Sequence, residues 1–250
     1  MKTRKRFGQH FLHDPGILKR IVEAVDPAPG DAIVEIGPGE GALTRPLLER
    51  TGHLTAIEID RDLAARLARE FPAGKLTVIG ADVLDFDFSA LPSGLRIVGN
   101  LPYNISTPIL FHLARHAGRV RDMHFMLQRE VVQRMVARHS TPDYGRLSVM
   151  LQTRFRMQRL FNVASGAFRP PPKVESAVVR LLPIAERPDW DEAVLEKIVR
   201  EAFSARRKTL RNALPLNSTD YEVLGVDPRL RPENLAPEDY LRITRRICAR

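Results

Sequence analysis

The sequence predicts a doubly wound α/β fold, with helices on both faces of a parallel sheet, followed by a small helical domain. Three observations support this. Short apolar runs alternate with amphipathic helical patterns over most of the chain. A glycine-rich turn at residues 37–41 directly follows the first apolar run. After Pro183 the strand patterns end and proline-separated helical patterns begin. We therefore expect an α/β domain at residues 1–185 and a helical domain at 186–250.

Hydrophobic periodicity locates the individual elements. Apolar runs bounded by turn residues predict strands at 32–36, 54–59, 75–79, 95–99, 123–127 and 174–182. Apolar residues at three- and four-residue spacing predict helices at 17–25, 43–48, 63–67, 109–116, 131–136 and 195–203. Because strands and helices alternate, the strands are expected to run parallel, with their carboxyl ends at one edge of the sheet.

Composition and charge narrow the possible functions. The 250 residues are 44% hydrophobic, which allows a packed core, and carry a net charge of +9 with an isoelectric point near 10.2. Such a basic balance points to nucleic acid or an anionic membrane face, although genome composition also raises arginine content. The single cysteine, Cys248, excludes an intrachain disulfide and fits a reducing compartment. With no apolar run of membrane-spanning length and no signal core, we expect a cytoplasmic monomer without a membrane partner.

The positive charge is concentrated in two segments, residues 1–20 and 200–212, which contain few acids. The first includes a basic N-terminal arm at 1–12. In the second, a continuous helix would place Arg200, Ser204, Arg207 and Arg211 on one face. A solvated face is the usual explanation for such a run, but the scarcity of acids favours contact with phosphates. The predicted nucleic-acid contacts are Arg4, Lys5, Arg6, Arg206, Arg207, Lys208 and Arg211.

The glycine-rich turn, with Glu35 two residues before its first glycine, indicates a cofactor site. A dinucleotide fold places three glycines as Gly-x-Gly-x-x-Gly at a pyrophosphate, whereas here Gly37 and Gly39 are followed one residue early by Gly41. A carboxylate at Glu35 would repel a pyrophosphate and suits a zwitterionic sulfonium ligand. The pattern therefore favours S-adenosylmethionine over NAD.

Two further acids follow neighbouring predicted strands. Glu58 closes the second strand, where a carboxylate can accept from both hydroxyls of a ribose. Asp82 follows the third strand and can accept from the amino group of an adenine, with Val83 lining the ring. Each acid alone could be a surface carboxylate or a helix cap, as we expect for Asp60 and Asp62. Their common position at strand ends favours a cofactor site.

The tetrad Asn100–Tyr103 (Asn-Leu-Pro-Tyr) follows the fourth predicted strand. The amide oxygen of Asn100 and the carbonyl of Leu101 can accept hydrogen bonds from an exocyclic amine. Pro102 biases Leu101 toward an extended conformation, and Tyr103 offers a ring on which a base can stack. Taken alone, the tetrad also fits an ordinary strand-to-helix turn.

The full set of motifs resembles the bacterial small-subunit ribosomal RNA adenine dimethyltransferases of the KsgA type, which share features with erythromycin-resistance methylases. The resemblance runs nearly from end to end. It covers KRFGQHFL at 5–12, VEIGPGEG at 34–41, GNLPYNIS at 99–106, MLQREV at 126–131, YGRLS at 144–148, FRPPPKVES at 168–176 and RRKTLRN at 206–212.

This resemblance implies a Rossmann-like methyltransferase sheet that binds S-adenosylmethionine. The family usually has asparagine where this chain has His10. If position 10 contacts the cofactor through its backbone, the change has little effect; if through its side chain, a ring nitrogen must substitute. Phe168 would stack on the target base opposite Tyr103, although it could instead be an apolar plug. The implied cofactor residues are Gln9, His10, Leu12, Gly37, Glu58, Asp82 and Asn100.

The activity implied is dimethylation at N6 of two adjacent adenosines in a hairpin loop of small-subunit ribosomal RNA, within an immature subunit. A DNA methylase or a resistance methylase that shares the tetrad is one alternative. A non-catalytic RNA-binding assembly factor is another, disfavoured by the intact Glu58, Asp82 and tetrad. No histidine or cysteine cluster has metal-ligand spacing, so no metal is expected.

Overall fold

A computed structural model describes residues 10–184, 190–204 and 207–249 of the chain. The strands are β1 (Phe11–Leu12), β2 (Ile33–Ile36), β3 (Leu54–Ile57), β4 (Leu76–Ile79), β5 (Leu95–Asn100), β6 (Val120–Gln128), β7 (Phe155–Val163), β8 (Phe168–Arg169) and β9 (Ser176–Pro183). The helices are α1 (Pro15–Val25), α2 (Thr44–Thr51), α3 (Arg61–Glu70), α4 (Ser106–Arg115), α5 (Arg129–Val136), α6 (Arg146–Gln152), α7 (Glu192–Ser204), α8 (Leu210–Ala213), α9 (Ser218–Leu224) and α10 (Pro237–Cys248).

The described residues form two compact units. The sheet unit comprises residues 10–132 and 157–183, and the helical unit comprises Gln133–Arg156 and the described residues from Ile184 onward. The sequence predicted one boundary at residue 185, so the structure adds residues 133–156 to the helical unit. The reason is apolar packing, because buried residues of α6 contact α7 and α10.

The central sheet has seven strands in the order β4-β3-β2-β5-β6-β9-β7. Strands β2 to β6 pair in parallel, and strand order reverses at β2, which lies between β3 and β5. The doubly wound α/β prediction is confirmed. Ligands of such sheets bind at the reversal point, beyond the carboxyl ends of the strands.

The sheet is not parallel throughout, which corrects one expectation. Strand β9 pairs antiparallel to β6, with Met126 opposite Val178. The alternation of strands and helices stops after α6: β7, β8 and β9 follow one another with no α-helix between them, so the helical crossovers that link parallel neighbours are absent from this part of the chain. Two further short strands, β1 and β8, form their own antiparallel ribbon, which holds the end of the N-terminal arm.

Helix α1 covers part of the sheet, and polar groups fix both of its ends. At the start, the side chain of Asp14 accepts from the backbone N–H of Ile17 (2.9 Å), an N-cap. At the end, the buried guanidinium of Arg96 on β5 donates to the carbonyls of Val25 and Asp26. Apolar residues of α1 between these ends pack on the sheet, so α1, which follows β1, is firmly attached to the sheet.

The helical unit has its own apolar core. The rings of Phe203 and Tyr240 stack with centroids 6.0 Å apart, and the hydroxyl of Tyr240 donates to the carbonyl of Pro232 (2.8 Å). An ion pair between Arg146 and Glu196 (2.8 Å) joins α6 to α7. Among the described residues, no helix combines the length and apolar character needed to cross a membrane.

Candidate active site

A cavity of about 300 Å³ opens in the sheet unit beyond the carboxyl ends of the parallel strands. It lies at the reversal of strand order, where this fold binds ligands. The predicted site residues that it brings together are His10, Leu12, Glu35, Gly37, Gly39, Glu58, Asp82, Val83, Asn100, Leu101 and Tyr103. We call the carboxylates Glu35, Glu58 and Asp82 the acidic side, and Asn100, Leu101 and Tyr103 the amide side.

Glu58 stands directly after β3 and is only 3% exposed. Its Oε2 accepts from the backbone N–H of Gly39 (3.1 Å) and its Oε1 from that of Asp60 (2.9 Å). Burial raises the pKa of Glu58, and these two N–H donors oppose the rise. Each oxygen keeps a second lone pair, so a rigidly held carboxylate remains able to accept from a ligand.

Gly39 makes this arrangement possible. Its φ of 57° lies in the left-handed region, and a Cβ at this position would come 2.9 Å from the ring of Phe11. A larger residue would therefore displace both the turn and β1. The glycine-rich turn is thereby fixed to the acidic side through Glu58 and to the N-terminal ribbon through Phe11.

Glu35, the next-to-last residue of β2, is buried, and its Oε2 accepts from the hydroxyl of Thr44 (2.6 Å). Burial raises the pKa of Glu35 to about 7; the Thr44 hydroxyl opposes this and the negative charge of Glu58 adds to it. A buried acid of this kind gains from a cationic partner. The acidic side therefore fits a ligand with positive charge and ribose hydroxyls, and would repel a pyrophosphate.

Asp82 and Val83 follow β4 and complete the acidic side. The Oδ1 of Asp82 accepts from the backbone N–H of Leu84 (2.9 Å), which orients the carboxylate, while Val83 is buried at 7% exposure beside it. This is an acceptor next to an apolar wall. Such a pair suits the amino edge and the face of an adenine ring.

The Asn100 amide on the other side has a defined orientation. Its Nδ2 donates to the backbone carbonyl of His10 (2.8 Å), because only the nitrogen of the amide can face a carbonyl. The amide oxygen is thereby left as an acceptor. His10 acts here through its backbone, so the histidine in place of the family's usual asparagine leaves this contact intact.

Leu101 and Tyr103 continue the amide side. The backbone N–H of Leu101 donates to the carbonyl of Met126 on β6 (3.2 Å), and no described residue donates to the Leu101 carbonyl. Tyr103 is half-buried, with its ring 5.6 Å from that of His10 at an angle of 31°. The cavity thus offers neutral acceptors beside an aromatic ring.

Phe168 does not occupy the place expected for a stacking partner. It is 1% exposed, pairs with Leu12 between β8 and β1, and belongs to the main apolar core of the sheet unit. The apolar plug, the alternative reading of this residue, describes its position. The reason is strand pairing, because the β1–β8 ribbon turns the Phe168 side chain into the core.

Two residues near the cavity were not anticipated. His124 on β6 lines it, and burial lowers the pKa of this histidine. Ser176, the first residue of β9, contacts the hydroxyl of Tyr103. His124 lies in no motif, and Ser176 closes the motif at 168–176, which gave no sign of a contact with Tyr103. Only the pairing of β6 with β5 and β9 brings them to the site.

The basic segments are described in part. Arg4, Lys5, Arg6, Gln9 and Arg206 lie outside the described residues. Arg207, Lys208 and Arg211 are exposed, but the continuous basic helix is wrong, because the described residues 207–209 before α8 are not helical. Residues 210 and 211 begin a separate short helix whose N–H groups donate to Leu230 and Pro228. Within the described ranges, no group of three or more His, Cys, Asp or Glu could hold a metal ion.

The fold and the cavity define a Rossmann-like methyltransferase. A family model described as ribosomal RNA adenine dimethylase matches residues 1–248. The chain belongs to this family.

Relatives that match along the whole chain support the assignment. Proteins named ribosomal RNA small subunit methyltransferase A are 58% identical in Aromatoleum aromaticum (100% of this chain, 96% of the relative) and 59% identical in Thiobacillus denitrificans (99% and 98%). A dimethyladenosine transferase from Plasmodium falciparum is 27% identical, with a TM-score of 0.83 over 96% of this chain and 98% of that chain. The 23S rRNA methyltransferase ErmE is 29% identical, with a TM-score of 0.71 over 95% and 99%.

Proposed function

We propose that the protein transfers methyl groups from S-adenosylmethionine to N6 of two adjacent adenosines in a hairpin loop of small-subunit ribosomal RNA. The product is N6,N6-dimethyladenosine, made in the cytoplasm on an immature subunit. The observation that carries the proposal is the Asn100 amide, whose nitrogen is held by the His10 carbonyl so that its oxygen stays available to an amine. The names of the relatives support ribosomal RNA as the substrate.

The acidic side supports S-adenosylmethionine as the cofactor. Glu58 would accept from the ribose hydroxyls, Asp82 from the adenine amine, and Glu35 would offset the positive charge of the methionine portion. S-adenosylmethionine supplies an electrophilic methyl group on a sulfonium. A nicotinamide dinucleotide fits less well, because the buried Glu35 would face its pyrophosphate.

The amide side supports an adenine amine as the nucleophile. The lone pair of this amine is delocalised into the ring, so its reactivity depends on placement and on acceptors for its protons. The Asn100 oxygen and the Leu101 carbonyl would accept from the amine, which favours a pyramidal nitrogen and offsets the positive charge that develops on it. No strong base is required, since the methylated ammonium is acidic.

A second methylation at the same nitrogen is compatible with these acceptors. After the first transfer the amine has one proton and needs only one of the two acceptors. Because Asn100 is neutral, losing a proton partner costs less than it would for a buried carboxylate. This supports a dimethyl product.

Contact with RNA would use the exposed basic residues of the helical unit and the basic N-terminal arm. Arg207, Lys208 and Arg211 are exposed in a segment with few acids, as phosphate contacts require. Structured RNA is read largely by shape and by loop bases that leave the stack. A cavity that receives one base, together with cationic surface, fits this mode.

The test is incubation of the protein with isotopically labelled S-adenosylmethionine and immature small subunits, followed by nucleoside mass spectrometry. We expect monomethyladenosine to rise and then fall as dimethyladenosine accumulates, or dimethyladenosine alone. Large subunits and duplex DNA are the control substrates, because a resistance methylase or a DNA methylase would label them instead. A reaction that stops at monomethyladenosine with active enzyme and excess cofactor would contradict the proposal.

A further inference from the structure

Ser176 contacts the Tyr103 hydroxyl on the amide side, and the methyl transfer proposed above gives it no role. It is 0% exposed, and its Oγ lies 2.5 Å from the hydroxyl oxygen of Tyr103. We propose that Ser176 is a positioning residue that holds the Tyr103 ring in the orientation that receives the target adenine. This inference rests on the adenine methylation proposed above.

The hydrogen bond joins a turn to the rigid part of the sheet. Tyr103 lies in the turn between β5 and α4, outside both elements. Ser176 lies in β9, opposite Gln128 of β6 in an antiparallel pair inside the seven-stranded sheet. A side chain of a turn is more precisely placed when a regular element holds its far end. Ser176 provides that support for Tyr103.

The contacts with Ser176 and with His10 together define the plane of the Tyr103 ring. With its backbone and its hydroxyl both held, the long axis of the ring is fixed, and only rotation about that axis remains. The imidazole of His10 restricts this rotation, since its centroid is 5.6 Å away and its plane is inclined by 31°. His10 is itself held, with Nδ1 donating to the carbonyl of Pro170 (2.8 Å). Ser176 therefore fixes the direction of the ring, and His10 limits its tilt.

The Tyr103 hydroxyl is engaged with a neutral partner, which argues against a role in proton transfer. Burial also raises the pKa of Tyr103, so the hydroxyl stays protonated. A phenylalanine at this position would keep the ring but leave the buried Ser176 hydroxyl without a partner. Stacking by itself predicts that Tyr103→Phe is harmless, whereas positioning by Ser176 predicts a loss.

The experiment compares Ser176→Ala, Tyr103→Phe and the double variant. For each, kcat/KM toward immature small subunits and the dissociation constant of S-adenosylmethionine are measured. We expect each single variant to lower kcat/KM about tenfold, as for loss of one hydrogen bond. The double variant should be no worse than the poorer single one, and cofactor binding should be unchanged. Ser148→Ala is the matched control, because it removes an equally buried hydroxyl, bonded to the Arg134 carbonyl (2.5 Å), from a residue that does not line the cavity.

A second readout follows the ring without enzymatic activity. In protein labelled with 3-fluorotyrosine, the Tyr103 resonance is the one of four that disappears in Tyr103→Phe. In Ser176→Ala we expect this resonance to shift and to report faster ring motion, with the other three in place. An unchanged resonance would overturn the positioning role of Ser176, and this can be measured whether or not the protein methylates adenosine. A wild-type protein that methylates no adenosine would instead overturn the proposed function.

The activity data have equally clear contrary outcomes. A Ser176→Ala variant within twofold of wild type, or single losses that multiply in the double variant, would overturn the positioning role. If Ser176→Ala does not fold, as judged by its melting temperature, Tyr103→Phe carries the test, since it breaks the same bond from the other side. Wild-type kcat/KM in Tyr103→Phe would then refute the proposal.

Discussion

The polar groups on the acidic side of the cavity are carboxylates, whereas those on the amide side are neutral. Glu58 is held by two backbone N–H groups and Glu35 by the Thr44 hydroxyl. On the amide side, the Asn100 amide is held through its nitrogen by the His10 carbonyl. Both sides are therefore oriented by the fold before any ligand arrives, but with groups of different charge.

This difference matches the two partners that the protein would bring together. A cationic cofactor gains from buried negative charge, and burial also makes such charge costly when the cofactor is absent. An amine that becomes positive only during the reaction is better served by neutral acceptors, which lose little when a proton leaves. We therefore expect variants on the acidic side to change cofactor affinity, and variants on the amide side to change the rate of transfer.

The largest expected effect is on the amide side. Asn100→Ala should lower kcat about 10²- to 10³-fold, the range seen when one preorganised polar group is removed from an active site. The dissociation constant of S-adenosylmethionine should change much less, because the interaction strengthens toward the transition state. Rapid-quench assays with labelled cofactor and calorimetry measure the two quantities. Asn162→Ala, an exposed asparagine on β7, is the control, and full activity in Asn100→Ala would refute the role.

The next effect concerns the acidic side. Glu58→Ala should weaken binding of S-adenosylmethionine by about 1–3 kcal/mol, because it removes an acceptor and leaves the N–H of Gly39 without a partner. Calorimetry measures this directly, with Glu49→Ala as an exposed carboxylate control. Tight binding of NAD with no affinity for S-adenosylmethionine would overturn the assignment of this side.

Protonation of Glu35 offers a pH test of the same side. The pKa of Glu35 is raised to about 7 from an ordinary value of 4.5, so the carboxyl ionises over this interval only in the unfolded chain. The contribution of Glu35 to the stability of the free protein should therefore be fully present below pH 4.5 and fall by up to about 3 kcal/mol as the pH rises from 4.5 to about 7. Thermal melts of wild type and Glu35→Gln should diverge in this window, the variant being the more stable at high pH.

Cofactor affinity should respond in the opposite sense. Binding of a cation favours the ionised form of Glu35, so affinity should increase with pH by up to about tenfold per unit below 7. Glu35→Gln should bind more weakly and lose this dependence. An affinity that is flat with pH in the wild-type protein would mean that Glu35 does not face the positive charge.

The smallest effect is expected outside the cavity. Replacing Arg207 and Arg211 with alanine should weaken RNA binding and reduce the slope of log affinity against log salt by roughly two at most. Melting temperature and cofactor affinity should hardly change, because both side chains are exposed. Arg50→Ala with Arg61→Ala is a matched pair of exposed arginines on α2 and at the start of α3. A large loss of stability with an unchanged salt slope would show that Arg207 and Arg211 are structural.

Sequence periodicity was sufficient for the parallel strands and for most helices of the sheet unit. It failed for β7, whose alternation is irregular because Phe155 and Val163 are buried while Arg156 and Arg159 between them are exposed. It also predicted no helix at α6, where residues 147–151 are all buried and leave no amphipathic pattern. The basic helix at 200–212 was wrong for another reason: hydrogen bonds to the distant Pro228 and Leu230 organise its second half.

The site was predictable where a residue type and a strand end coincide. Glu58, Asp82 and the tetrad that begins at the last residue of β5 follow this rule, and all line the cavity. Phe168 was placed in the site through resemblance, and the β1–β8 pairing that buries it has no local pattern in the sequence. Ser176 closes the motif at 168–176, but its contact with Tyr103 could not have been found, because the bond spans 73 residues of the chain.

The central claim is that the acidic side binds the cofactor and the amide side promotes methyl transfer. It is tested most directly by measuring cofactor affinity and single-turnover methyl transfer in the same samples of wild type, Glu58→Ala and Asn100→Ala. At saturating S-adenosylmethionine, Glu58→Ala should transfer at close to the wild-type rate despite its weaker binding. Asn100→Ala should bind the cofactor almost normally and transfer at least about a hundredfold more slowly. Affinity and rate falling together by similar factors in both variants would contradict the account.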